Sequence, residues 1–357
     1  MMDDHRNSSC DCPTIVRMHP PIAVIGIGCR FPGDANDPIS YWNLLHDGID
    51  AITEVPPERW NQEAFFDPTG DKPGKTPSRW GGFIRGIDQF DPHFFGISPR
   101  EASRMDPQQR LLLEIAWGAL EDGGQVLERW SGSKTAVFVG ISNWDYSLLQ
   151  RNSRDRGVIN AYTSTGGSLS IAANRISYCF DFRGPSAIVD TACSSALVAV
   201  HLACRNIWDE NCPLALAGGV NAIFTPDTTI GFSRLGMLSP DGRCRVFDAG
   251  ANGYVRGEGA GIVLLKPLAR AVADGDRIYA VIRGSAMNQD GRTPGMTVPS
   301  QKAQEALLLE ACQSAGIQPG QSSSWRRTEL EHRWATRSKP VRWAASCPVA
   351  DIRTIPV

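Results

Sequence analysis

A chain of 357 residues, 42% apolar and 21% charged, can build one large or two ordinary cores and does not have the composition of a disordered chain. Its formal net charge of −2 gives no reason to expect nucleic acid or an anionic membrane as a partner. No run approaches the roughly 18 apolar residues of a membrane span, and the polar, acid-containing N-terminus has no secretory apolar region.

Ten cysteines at irregular spacing do not make a disulfide framework, so the chain reads as cytoplasmic with reduced thiols. Cys10 and Cys12 could form half a metal site, but no second pair or nearby histidine completes it. Residues 1–20 therefore read as a polar tail, with no metal expected.

In chain order, Pro21 to Gly28 predicts a strand running into a glycine turn that continues to Gly33. A dinucleotide fingerprint is not met: the third glycine comes two positions late, and Pro32 opposes a helix there. Tyr41 to His46 predicts a short amphipathic helix ending near Gly48. Residues 50–100 are rich in proline, glycine and aromatics such as Trp60, Phe83, Phe90 and Phe95. They read as a structured excursion packed by its own aromatics. Ser98 is an N-cap with Pro99 in the first turn. The next helix carries Leu112, Ile115, Ala116 and Ala119 at helical spacing and stops at Gly123-Gly124.

Thr135–Gly140 predicts a strand and Ser168–Tyr178 a helix. Leu214–Val220, Ile262–Leu265 and Ile278–Ile282 predict strands, and Gln301–Ala315 a helix closed by Gly316. Strands alternating with helices argue for an α/β sheet covered on both faces. Gly253, Gly257, Gly259 and Gly261 permit tight turns and close backbone approach.

One stretch organises the rest. Ala187-Ile188-Val189 reads as a buried strand, and small and apolar residues from Ser194 onward read as a helix buried all round. Cys193 sits between them, where a thiol feels the positive end of the helix macrodipole. Ala192, Ser194 and Ser195 leave room for a substrate carbonyl. A strand, a nucleophile and a helix in that order have the mechanics of a nucleophile elbow, with cysteine in place of serine.

Asp190 to Leu197 (DTACSSAL), following Gly184-Pro185-Ser186, resembles the active-site signature of β-ketoacyl synthases. The likeness is closest to the ketosynthase domains of modular type I polyketide synthases. Ile22–Gly33, Asp91–Ala102, Met105–Trp117, Pro240–Gly261 and Gly284–Gly291 resemble the same family, so the resemblance covers residues 21–320. It implies a thiolase-like, layered α-β-α-β-α fold of two similar halves, the first complete and the second truncated, although no internal repeat is visible. It also implies that Cys193 takes an acyl chain from the phosphopantetheine of an acyl carrier protein, before decarboxylative condensation with a malonyl-type thioester. The domain itself would bind no cofactor and would be a homodimer if intact. The family's histidines lie in other motifs, which leaves His93 structural.

A second reading is a non-catalytic, ketosynthase-like partner that dimerises with an intact synthase. A general cysteine hydrolase is disfavoured, because His201 lies two turns along the helix from Cys193.

The resemblance ends near residue 320. Residues 321–357 are rich in arginine and tryptophan and lack apolar periodicity. A complete ketosynthase would continue to Glu-Ala-His-Gly-Thr-Gly-Thr and later Lys-x-Asn-x-Gly-His, and neither motif is present. Regrouping the codons of Trp325 to Pro340, starting at each third base, however, permits Glu-Ala-His-Gly-Thr-Gly-Thr-Pro-Val-Gly-Asp-Pro-Ile-Glu-Ala-Arg without a forbidden codon. The tail therefore reads as out of frame, and His332 as a chance residue. Sequencing the coding DNA checks this: the shifted frame is expected to spell the histidine motif, and codons that cannot do so reject the frame slip.

Overall fold

The computed structural model describes residues 19–151, 155–246 and 248–324. The strands are β1 (Ile22–Arg30), β2 (Ile52–Glu54), β3 (Trp80–Gly82), β4 (Ala136–Gly140), β5 (Ser186–Val189), β6 (Ala215–Asn221), β7 (Gly259–Pro267) and β8 (Ala280–Ile282). The long helices are α1 (Pro107–Asp122), α2 (Ser170–Phe180), α3 (Ser195–Trp208) and α4 (Gln301–Ser314). Six strands form one sheet in the order β5-β4-β6-β7-β1-β8, while β2 and β3 make a separate ribbon. β4 runs parallel to β5 and β6, whereas β7 is antiparallel to β6 and β1.

The period of two along each strand decides which residues face which helices. Val137 and Val139 of β4, Leu216 of β6 and Leu264 of β7 join one core with Leu112, Ile115 and Ala119 of α1 and Ile176 of α2. Ala136 and Phe138, Ala215 and Ala217, and Leu265 point the other way, into a core with Ala199, Ala203, Cys204 and Ile207 of α3. The sheet is thus covered on both faces, as the alternation of elements predicts. The described residues build three layers, and the second half of a five-layered arrangement is represented by β8 and α4 alone.

Four expectations need correction. Gly26 and Gly28 are not turn residues but lie inside β1. A Cβ at Gly28 would stand 1.9 Å from the Ile115 carbonyl oxygen and one at Gly26 2.3 Å from that of Ala119, so these glycines let α1 rest on the strand backbone. The helix predicted at Tyr41 starts at Pro38, capped by Asp37, and buries none of its residues; Ile39, Trp42 and Leu45 are exposed. The aromatics of the excursion do not pack only on one another: Phe94 meets Trp117 of α1 edge-on at 4.9 Å, and Phe95 lies 6.4 Å from Phe180 of α2. β5, finally, is one of the sheet's two edge strands and not a buried one: Ala187 is exposed and only Val189 is buried.

The excursion is tied to the body by a buried ion pair. Glu258 accepts from the Arg59 guanidinium at 2.9 Å and from the backbone amides of Ile84 and Ile223, each at 2.8 Å. Breaking one partner of such a pair costs about 3–5 kcal/mol, because the other charge stays buried.

Asp106 caps α1, accepting from the Gln108 amide at 2.8 Å, and burial pushes its carboxyl up to about 6. Between the unfolded value near 4 and about 6, the folded chain holds a proton that the unfolded chain has lost. Stability therefore falls as pH rises through this window. Asp106→Asn keeps the capping oxygen and removes the ionisation. Denaturant melts are expected to show the native chain losing about 1–3 kcal/mol between pH 4 and 7 relative to this variant, whereas parallel pH profiles would contradict the account.

Candidate active site

The parallel strands β4 and β5 deliver two loops to one end of the sheet. β5 ends at Val189, and Ala192–Ser194 forms a single 3₁₀ turn before α3 begins at Ser195. Cys193 occupies that turn with an exposed thiol. The junction of strand, cysteine and helix is therefore as predicted, but α3 is not buried all round. Ser195, Ala199, Ala203, Cys204 and Ile207 face the sheet, while Leu197 is 71% exposed.

Glycines again set the approach. A Cβ at Gly140 of β4 would lie 2.6 Å from the Ala196 nitrogen, and one at Gly219 of β6 would lie 2.9 Å from the Ala196 Cβ. Bare backbone at these two positions lets the first turn of α3 settle onto the sheet, which fixes the height of the turn that carries Cys193.

Polar groups set its shape. The Thr191 amide donates to Ser195 Oγ at 2.9 Å, and Ser195 Oγ donates to the Ala192 carbonyl at 2.6 Å. Asp190 Oδ1 accepts from the Ala192 amide at 3.1 Å and from Ser142 Oγ, at the end of β4, at 2.7 Å. Sequence reasoning treats Ser194 and Ser195 as space-makers and misses this bonding. The available signal is the spacing of a carboxylate and a hydroxyl around a tight turn, the pattern of Asx and Ser/Thr turns.

A second wall comes from the glycine-rich segment. Gly253, at a φ of 140°, passes so close to Leu238 that a Cβ would stand 2.4 Å from its carbonyl carbon. Tyr254 then bridges to Leu238, and the next amide, of Val255, donates to Cys244 Sγ at 3.3 Å. Burial pushes the Tyr254 phenol up to about 12; Arg256 opposes this, and the nearby Cys193 and Cys244 add to it. At neutral pH Tyr254 is thus an uncharged neighbour of Cys193. The glycines draw attention to this segment in the sequence, yet its tyrosine goes unnoticed there.

His201, half-buried on α3, turns Nδ1 to Ser285 Oγ at 2.8 Å. Burial, then Arg205, lowers its pKa, with Glu310 opposing. His93 is exposed on the excursion. Cys10, Cys12 and His332 lie outside the described residues.

This geometry can be set beside known proteins. The profile described as "Beta-ketoacyl synthase, N-terminal domain" matches residues 19–271, and that described as "Beta-ketoacyl synthase, C-terminal domain" matches residues 279–325. The chain belongs to the β-ketoacyl synthases. Two of its relatives are components of the phenolphthiocerol/phthiocerol polyketide synthase of Mycobacterium tuberculosis. One is 51% identical over 299 residues, covering 84% of this chain and 16% of the relative. The other is 50% identical over 299 residues, covering 84% of this chain and 19% of the relative.

Among solved structures, an oxazolomycin ketosynthase domain of Streptomyces albus superposes with a TM-score of 0.80 at 43% identity, covering 84% of this chain and 51% of that one. The ketosynthase from module 6 of the Bacillus subtilis bacillaene synthase gives 0.77 at 39%, covering 84% and 50%. The β-ketoacyl synthase chain therefore has the thiolase-like fold of these domains and spans about half the length of the solved ones. Among its described residues, no helix is long and apolar enough to cross a membrane.

The thiols of this β-ketoacyl synthase differ sharply in access. Cys193 and Cys244 are exposed, whereas burial pushes Cys204 up to about 12 and Cys212 up to about 11. Brief iodoacetamide treatment of the folded chain, followed by peptide mass spectrometry, is expected to place the first adducts on Cys193 and Cys244. First labelling of Cys204 or Cys212 would show that the native packing is not as described.

Proposed function

We propose that Cys193 is the acyl-accepting nucleophile of a ketosynthase that works on thioesters carried by the phosphopantetheine of an acyl carrier protein. The observation that carries this reading is an exposed thiol held on a rigid turn where a sheet strand hands over to a helix. The Cys193 thiolate attacks the thioester carbonyl. The tetrahedral oxyanion then collapses, and the pantetheine thiolate leaves and takes a proton, which gives an acyl-cysteine. In the complete reaction a malonyl-type thioester loses carbon dioxide, and its enolate attacks the acyl-cysteine. The products are a β-ketoacyl thioester on the carrier and the restored thiolate.

The second half-reaction calls for donors at a developing oxyanion. The family's histidine motifs would supply them, and they are missing from this sequence. Losing one such donor slows the step by about 10²–10³, or roughly 3–4 kcal/mol. We therefore propose a chain that takes up acyl groups but lacks condensing activity, with residues 321–357 as an out-of-frame tail.

Among the described residues the outer edges of β5 and β8 pair with no strand. Tyr178, Leu197 and Val281 are exposed. Such edges and apolar surface favour aggregation or capture by a partner. The free edge of β5 also favours a second reading, in which the chain pairs with an intact synthase as a non-catalytic component. With its second half present, the domain would be a homodimer.

Incubation with an acyl-pantetheine thioester is expected to add one acyl mass to Cys193, and Cys193→Ala to abolish it. Adding malonyl-pantetheine is expected to yield no β-ketoacyl product. Product formed by monodisperse protein would refute the impaired condensation, and an unacylated native chain would refute acyl transfer. Co-purification with a full-length synthase that survives Cys193→Ala would favour the partner reading.

A further inference from the structure

The turn that carries Cys193 contains a conformation its sequence does not favour. Ala192 has a φ of 54°, in the left-handed region where an L-residue's Cβ crowds the following carbonyl. Such a residue persists only where its surroundings over-determine it. Here they do so at both peptide groups that flank the residue. The Ala192 amide is held by Asp190 Oδ1, and its carbonyl takes the Ser195 hydroxyl and also caps the Ser195 amide. Ser195 is 5% exposed, and its Oγ simultaneously accepts from the Thr191 amide. Ser142 closes the ring by donating to the same Asp190 oxygen and lying 3.4 Å from Ser195 Oγ.

We infer that Ser195 is a positioning residue for Cys193. With Asp190 and Ser142 behind it, it clamps Ala192 in the left-handed conformation, and this directs the next residue's thiol out of the turn toward an incoming carbonyl. Ser195 touches no reacting atom; it acts through the backbone of residues 191 and 192. The inference rests on the proposed acyl transfer for its chemical meaning, but the clamp is a property of the turn. Without the hydroxyl, Ala192 relaxes toward an ordinary backbone conformation and the thiol loses its aim. Displacements of about 1 Å at a reacting atom cost up to 10²-fold in rate. Glycine at 192 is the diagnostic rescue, because it occupies the left-handed region without a Cβ penalty. Ala192 is exposed, so removing its methyl group sacrifices no packing.

The test compares the native chain, Ser195→Ala and the double variant Ala192→Gly/Ser195→Ala. Each is challenged with an acyl-pantetheine thioester and with iodoacetamide, and its thermal midpoint is recorded. Acylation of Cys193 is expected to fall about tenfold in Ser195→Ala and to return within about threefold of native in the double variant. Iodoacetamide, which makes smaller demands on direction, is expected to slow less but to follow the same order. A lowered thermal midpoint with unchanged rates, or a loss that glycine does not restore, overturns the clamp. If the native chain alkylates but takes no acyl group, the acyl-transfer reading fails alone. The clamp is then judged by alkylation: slowing in Ser195→Ala with recovery in the double variant supports it, and equal rates in all three overturn it.

Discussion

Direct contact between helix and strand backbones is the constraint on which this molecule depends. α1 lies on β1 where Gly26 and Gly28 leave no side chain to hold it off, and α3 lies on β4 and β6 at Gly140 and Gly219. A Cβ at any of these positions would meet a neighbouring atom at less than 3 Å. Interiors packed to crystal-like density do not absorb such an intrusion without moving an element. Because the helix that follows Cys193 is one of those seated this way, core packing and the placement of the Cys193 turn impose the same requirement.

Polar groups are distributed according to what burial demands of them. Glu258, which has no exposed side-chain surface, is surrounded by one guanidinium and two backbone amides. It joins three segments far apart in sequence: the excursion, the end of β6 and the glycine-rich loop. Lys266, nearly as buried, is held between Asp274 and Asp276, both at 2.6 Å. The Glu258 pair holds loops that frame the site, whereas Lys266 lies at the opposite end of the sheet, beside the starts of β1 and β6; the site itself relies on neutral hydroxyls, a protonated phenol and one exposed carboxylate. The hydrogen bonds of the hydroxyls and the carboxylate fix the shape of the turn that carries Cys193.

Much of this was legible in the amino-acid order. Leu112, Ile115, Ala116 and Ala119 fall at helical spacing and all four are buried on α1. The strand at β4 alternates between two faces, and both faces are indeed covered. Cys193 could be located because strand, small residues and helix follow one another along the chain. Readings failed where a residue's role depends on a distant partner. Gly26 and Gly28 look the same in sequence whether they turn the chain or receive a helix. Ala187-Ile188-Val189 has the composition of a central strand yet lies at the edge, because strand order is set by crossover connections and not by local composition. Tyr254 lies 61 residues from Cys193 in sequence, as their numbers show, and no local pattern joins them.

By itself, then, the sequence determined the periodicities, the caps, the family and the cysteine on which the proposed acyl transfer rests. These are set by bonds and contacts within a few residues, or by a motif long enough to be specific. Only the tertiary structure decided the order of the strands, which face of α3 is exposed, and how Ser142, Asp190 and Ser195 hold Ala192 in a left-handed turn. Ser142 reaches that turn because β4 and β5 lie side by side, and backbone hydrogen bonds bring strands together without leaving any mark in side-chain pattern.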